Sequence, residues 1–173
     1  MKGSIRIIST VALACVATGP LAQIKPTQAD SEASYDNAVA RVWGQINSTR
    51  YAVDWCADNN RGSKSAVKKA YADWTTRFGP VIADINQRID AVMNPGGAIP
   101  AREFAAKKAE LLKRGAQRYA DSLKAGDADQ ARRDCQALPE QFGTRAFDLE
   151  AKFVEELRLI RSRPLGAQPP AAH

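Results

Sequence analysis

The sequence predicts an all-α protein: an up-down-up-down four-helix bundle with kinked helices, stapled by one disulfide. Three observations carry this. Apolar residues recur with a helical 3.6-residue period in four separate segments, and no segment alternates with the period of two that a half-buried strand requires. The four stripes are separated by short stretches of turn-forming residues, which force successive helices to lie antiparallel. Cys56 and Cys135 fall on inward stripes at positions that this topology brings to the same end.

Helix one carries Tyr35, Val39, Val42, Ile46, Val53 and Cys56 on one face. It stops at Asn-Asn-Arg-Gly-Ser (59–63), where Ser63 or Ser65 supplies the cap of the next helix. Helix two has the longest stripe: Val67, Tyr71, Trp74, Phe78, Val81, Ile82, Ile85, Ile89 and Val92. Its phase runs on through Pro80, which predicts one kinked helix and not two. The breaker Asn-Pro-Gly-Gly-Ala-Ile-Pro (94–100) follows, with Pro100 opening helix three. That helix carries Phe104, Leu111, Leu112, Gly115, Tyr119, Ser122 and Leu123, a weaker stripe because Lys108 falls in it. Gly126 stops it and Asp127 caps helix four, whose stripe is Ala131, Cys135, Leu138, Phe142, Leu149, Phe153, Leu157 and Ile160.

A Cys56–Cys135 bond needs no change of face in either helix. The closed loop of about 80 residues would constrain the unfolded chain by roughly 4.5 kcal/mol in the chain-entropy model. The competing reading, two small buried hydrophobes or half of a redox pair, lacks a Cys-x-x-Cys motif to support it.

The ends of the chain differ from its middle. Met-Lys-Gly-Ser-Ile-Arg precedes a short apolar run, the pattern of a cleavable secretory signal peptide over 1–29. Small residues at Thr27 and Ala29 suit cleavage before Asp30, with Ala22 and Ala33 as competing sites. The run is shorter than the about 20 apolar residues a membrane span needs, and no later segment is more apolar. Cys15 offers lipidation as an alternative, although the leucine of Val-Ala-Leu-Ala stands one place too close to it for the usual lipoprotein pattern. The bundle domain is thus expected over 30–163, and 164–173, rich in proline and alanine, reads as a disordered tail.

Charge excludes one class of function. The chain has 25 basic and 19 acidic side chains, a formal net charge of +6. Lys2, Arg6 and Lys25 would leave with the signal and no acid would, so the mature chain carries only about +3. A nucleic-acid binder of this size would show a much stronger basic patch.

Chemistry is excluded in the same way. The single histidine, His173, stands in the tail, so there is no Ser-His-Asp or Cys-His set, no histidine metal site and no axial haem ligand. Di-iron bundles need Glu-x-x-His repeats, and there are none. Gly-rich phosphate loops are absent too. Glu155-Glu156 and the Asp127/Asp129 pair diverge on a helix and read as solvated or capping residues. The sequence therefore predicts no enzyme, no cofactor and no metal.

Two features remain as candidate sites. Trp55 points almost opposite to the helix-one stripe, beside Cys56, and Arg132 with Arg133 cluster near the same end. Tryptophan is enriched at interface hot spots, so these three are the expected partner-binding residues. The alternative, that the Asn59–Ser63 loop or the tail covers Trp55, stays open. Lys107, Lys108, Lys113, Arg114 and Arg118 crowd helix three, either as a solvated face or as a surface for an acidic protein or an anionic envelope polymer. Separately, Gly44, Gly79-Pro80, Gly115 and Gly143 fall near mid-helix, with Pro139 one turn before the last. Interior glycine costs about 1 kcal/mol and interior proline about 3. These positions either make room for Trp43, Trp74, Phe78, Phe142 and Phe147, or widen the waist into a ligand pocket formed by Gly44, Pro80, Gly115 and Gly143.

The expectation is an exported monomer, periplasmic or secreted, that binds an unspecified protein or anionic envelope polymer without catalysis. A small-ligand binder using the waist is the alternative.

Overall fold

The structure, a computed structural model, describes residues 28–165. The N-terminal apolar run, Cys15, Thr27 and nearly all of the expected tail, including His173, lie outside the described residues. Among those described there are seven α-helices, one short 3-10 turn and no strand: α1 (Gln28–Asn59), α2 (Lys64–Arg77), α3 (Gly79–Met93), the 3-10 turn Pro95–Gly97, α4 (Ala101–Lys124), α5 (Ala128–Gln141), α6 (Leu149–Lys152) and α7 (Val154–Arg161).

At 1.5 Å per residue α1 is about 48 Å long, and the rest of the fold is arranged around it. Its buried stripe of Val39, Val42, Ile46, Val53 and Cys56 meets α2, α3 and α7. α5 to α7 run antiparallel to α1 along its whole length. Cys135 is bonded to Cys56, Lys152 donates to Gln45 Oε1 at 2.7 Å, Arg41 pairs with Glu156 at 2.8 Å, and Arg163 donates to the Ser31 carbonyl at 2.8 Å. α2 packs on α5.

Two predicted helices are broken. The single kinked helix expected across Pro80 is two helices joined at Phe78, whose φ of −100° and ψ of 11° leave the helical basin. Pro80 stands in the first turn of α3, where its missing N–H costs nothing. The hydrogen-bond ladder still crosses the joint: Phe78 N donates to Trp74 O at 3.0 Å and Ile82 N to Phe78 O at 2.9 Å. Helix four, expected to be continuous, ends at Gln141 and restarts at Leu149. The turn between is pinned to α2, because Trp74 Nε1 donates to Phe147 O at 2.7 Å and Arg77 pairs with Asp148 at 2.7 Å. Asp148 also caps α6 by accepting from Ala151 N at 2.9 Å. Gly143 therefore lies in a turn and not in a helix interior.

The predicted ring does not close. α4 runs beside α1 in the same direction: the Tyr51 and Tyr119 ring centroids are 6.5 Å apart. A Cβ on Gly115 would stand 2.7 Å from Tyr51 Oη, so a larger residue here would have to displace the Tyr51 ring. α4 buries none of its residues fully. Lys108, which weakened its apolar stripe, forms an ion pair with Asp90 at the end of α3. α1 is thus a central strut, with α4 latched onto one flank.

Arg88 of α3 is 6% exposed and closes the far end. It donates to Asp84 Oδ1 at 2.8 Å, Tyr35 Oη at 3.0 Å and Arg163 O at 2.8 Å. Burial opposes its charge, but the bonds it donates to Tyr35 and Asp84 outweigh that and hold its pKa above the ordinary arginine value.

Candidate functional site

The disulfide defines the end at which the site lies. Cys56 and Cys135 have Cα atoms 5.3 Å apart, in the last turn of α1 and in the middle of α5. Both are buried. Helical phase puts Asp134 and Leu138 beside Cys135, and Ala52 and Trp55 beside Cys56. Where α4 crosses in front, Tyr119 and Leu123 form the third wall. The result is a cleft of about 360 Å³ whose walls include Trp55, Tyr119, Leu123, Asp134, Gln141 and Phe147.

Trp55 is half-buried, not on an open outer face, because α4 and α5 cover the side of α1 that the apolar stripe leaves free. Its Nε1 is buried with no hydrogen-bond acceptor among the described residues. Trp74 shows the contrast: its Nε1 is bonded to a carbonyl, and its ring stacks on Tyr71 with centroids 5.8 Å apart. An unpaired buried donor costs about 1–3 kcal/mol, and among the described residues the Trp55 indole is the buried side-chain group left in that state.

Asp134 is the one carboxylate on the cleft wall. Its Oδ1 accepts from Gln130 Nε2 at 2.7 Å, and it makes no ion pair among the described residues. Tyr119 has its pKa raised, first by burial and then by the charge of Asp134. Both residues line the same space.

The other expected partner-binding residues lie nearby but off the cleft. Arg132 is exposed and pairs with Asp129 at 3.1 Å, and its backbone carbonyl accepts from Asn60 Nδ2 at 3.4 Å. Arg133 is exposed and donates to Gln130 Oε1 at 2.7 Å. The three share the stapled end, but neither guanidinium lines the space that Trp55 lines. Asp134, Tyr119, Gln141 and Phe147 were not singled out as site residues by the sequence. Asp134 hides next to Cys135, and Tyr119 reads as an ordinary member of an apolar stripe.

The waist residues are scattered. Gly44 and Gly79 have open space where a Cβ would stand, Gly115 abuts Tyr51, and Gly143 sits in the exposed turn after α5. Of Gly44, Pro80, Gly115 and Gly143, only Pro80 lines one of the main clefts, a space of about 410 Å³ between α3 and α6–α7. That second cleft also holds Arg77, Arg88 and Arg161, each already paired: with Asp148 at 2.7 Å, Asp84 at 2.8 Å and Glu150 at 2.9 Å. Among the described residues no group of three or more histidines, cysteines or carboxylates could hold a metal, and no helix is long and apolar enough to cross a membrane.

Fold and site together define a disulfide-stapled helical protein with a cleft walled by Trp55, Tyr119 and Phe147. Compared with protein-family models, curated proteins and solved structures, the chain has no match.

Proposed function

We propose that the protein is exported to the cell envelope or beyond it and there binds another macromolecule without catalysis, using the cleft at its stapled end. The observation that carries this reading is Trp55: a large aromatic held beside the disulfide and lining an open cleft. A rigidly presented aromatic loses little entropy on binding, which is why such residues dominate interface energetics. The disulfide favours an oxidising compartment, in line with the export pattern of residues 1–29. The fold around the cleft is read as four rods of alternating direction, α1, α2–α3, α4 and α5–α7, of which α1, α4 and α5 line it.

In-cell photo-crosslinking from a benzoylphenylalanine at Leu123, on the cleft wall, tests the proposal. The expected result is a discrete macromolecular adduct that Trp55→Phe weakens with little change in Tm. Absence of an adduct at Leu123, with crosslinking intact at an unrelated exposed position, would refute it.

A further inference from the structure

The chemistry of the same cleft identifies what enters it, and this inference rests on the binding reading above. Four aromatic rings elsewhere already carry the protein's own cations: Arg50 on Tyr51 at 6.0 Å, Arg77 on Phe78 at 4.8 Å, Lys152 on Phe153 at 5.6 Å and Arg163 on Tyr35 at 4.5 Å. The three rings of the cleft, Trp55, Tyr119 and Phe147, carry none among the described residues. No lysine, arginine or histidine is on the cleft wall. The chain as a whole has six more basic than acidic side chains, so a wall whose only charged group is a carboxylate runs against its composition. The second cleft shows what the fold does elsewhere, where every arginine has its own carboxylate or a carboxylate neighbour.

We propose that the cleft receives the ammonium group of a lysine side chain presented by a partner polypeptide. Aromatic faces attract a cation through their quadrupole, most strongly where water is excluded. Asp134 supplies the opposite charge at the mouth. The methylene stem of a lysine covers apolar wall such as Leu123 while its head stays polar. Gln130 occupies Asp134 Oδ1, leaving Oδ2 as the oxygen without a described partner. That arrangement suits a point-charge ammonium better than the two-pronged guanidinium, which is matched to a whole carboxylate.

The test is a titration of the full-length protein, followed by the indole N–H resonance of Trp55 in ¹H–¹⁵N spectra. The probes are the capped tripeptides acetyl-Gly-Lys-Gly-amide and acetyl-Gly-norleucine-Gly-amide, with n-butylammonium as a free amine. The lysine tripeptide should shift the Trp55 resonance saturably. The norleucine tripeptide, equal in stem but uncharged, should bind about fivefold more weakly or worse, and Asp134→Asn should cost the lysine tripeptide a similar factor. Asp134 is exposed, so Asp134→Asn should leave Tm unchanged. Equal affinity for norleucine, or no effect of Asp134→Asn, overturns the cation inference while leaving macromolecule binding intact. Binding of n-butylammonium as tight as the tripeptide overturns the polypeptide source. No movement of the Trp55 resonance with any probe overturns the inference outright, and the Leu123 adduct then decides the proposed function separately.

Discussion

Replacing both Cys56 and Cys135 by alanine removes the staple without burying a new polar atom. The two residues are 79 apart in sequence. Closing a loop of that length costs the unfolded chain about 15 cal/mol/K, or roughly 4.5 kcal/mol at 25 °C. Both side chains are buried, at 5% and 1% exposure, so losing the sulfur atoms adds a small cavity penalty. Residual structure in the unfolded chain works in the opposite direction. A domain of about 135 residues has an unfolding entropy of roughly 0.28 kcal/mol/K, so the double variant should melt about 16 °C lower. Calorimetry of the two proteins under identical conditions measures this. Urea titration should also give a steeper transition for the variant, because an unstapled chain exposes more surface when it unfolds. A fall in Tm below about 5 °C would show that the unfolded chain is not constrained by this bond. Two free thiols in the unfolded, unreduced protein would remove the premise.

Arg88→Ala strands Tyr35 Oη and the Arg163 carbonyl and should cost about 2–4 kcal/mol in urea unfolding; Arg88→Lys should recover little, since an ammonium cannot reach three acceptors in that geometry. Gly115→Leu would drive a side chain into Tyr51. Hydrogen exchange should rise about tenfold or more in 101–124 while Tm falls only a few degrees, because α4 has no fully buried residue; unchanged protection of α4 would contradict the latched arrangement. The pKa of Asp36 is raised above 3.8, first by burial and also by Glu32, against the pull of Arg163. A folded-state carboxyl that holds its proton more tightly adds stability at pH below 3.8 and loses it as pH rises through the raised value. Asp36→Asn should therefore be slightly more stable than the parent at neutral pH, the effect kept small because Asp36 is exposed, with the gap closing as pH falls through the raised value to 3.8 and staying closed below it, as followed by Tm against pH.

Helical periodicity made the apolar stripes readable, and the pairing of Cys56 with Cys135 followed from their phases. The break after Phe142 was not readable from phase. Phe142 and Leu149 are seven residues apart, close to two helical turns, so the stripe continues in register across a turn that is not helix. Asp148 before Leu149 was the cap signal that could have shown it. The Trp55 wheel position put the indole on the outer face of α1, whereas it is half-buried and packs against the core. Which helix lies over that flank depends on Gly115 meeting Tyr51, a fact of α4 that the periodicity of α1 does not contain. Lys108, read as a flaw in a buried stripe, marked a helix that was never fully buried. The cleft itself gathers residues from α1, α4, α5 and the turn at Phe147, and only packing brings such distant positions together.

The pairing of α1 with the last third of the chain imposes an order in time. Ser31 waits for Arg163, 132 residues later, Gln45 for Lys152, 107 later, and Cys56 for Cys135, 79 later. A chain emerging from the ribosome residue by residue therefore exposes Val39, Val42 and Ile46 on one flank until synthesis has passed residue 150. Arg88 obtains its third acceptor only when residue 163 arrives. Contacts of such long span make folding slow relative to helix formation, so α1 can pack on α2 and α3 well before its last flank is covered.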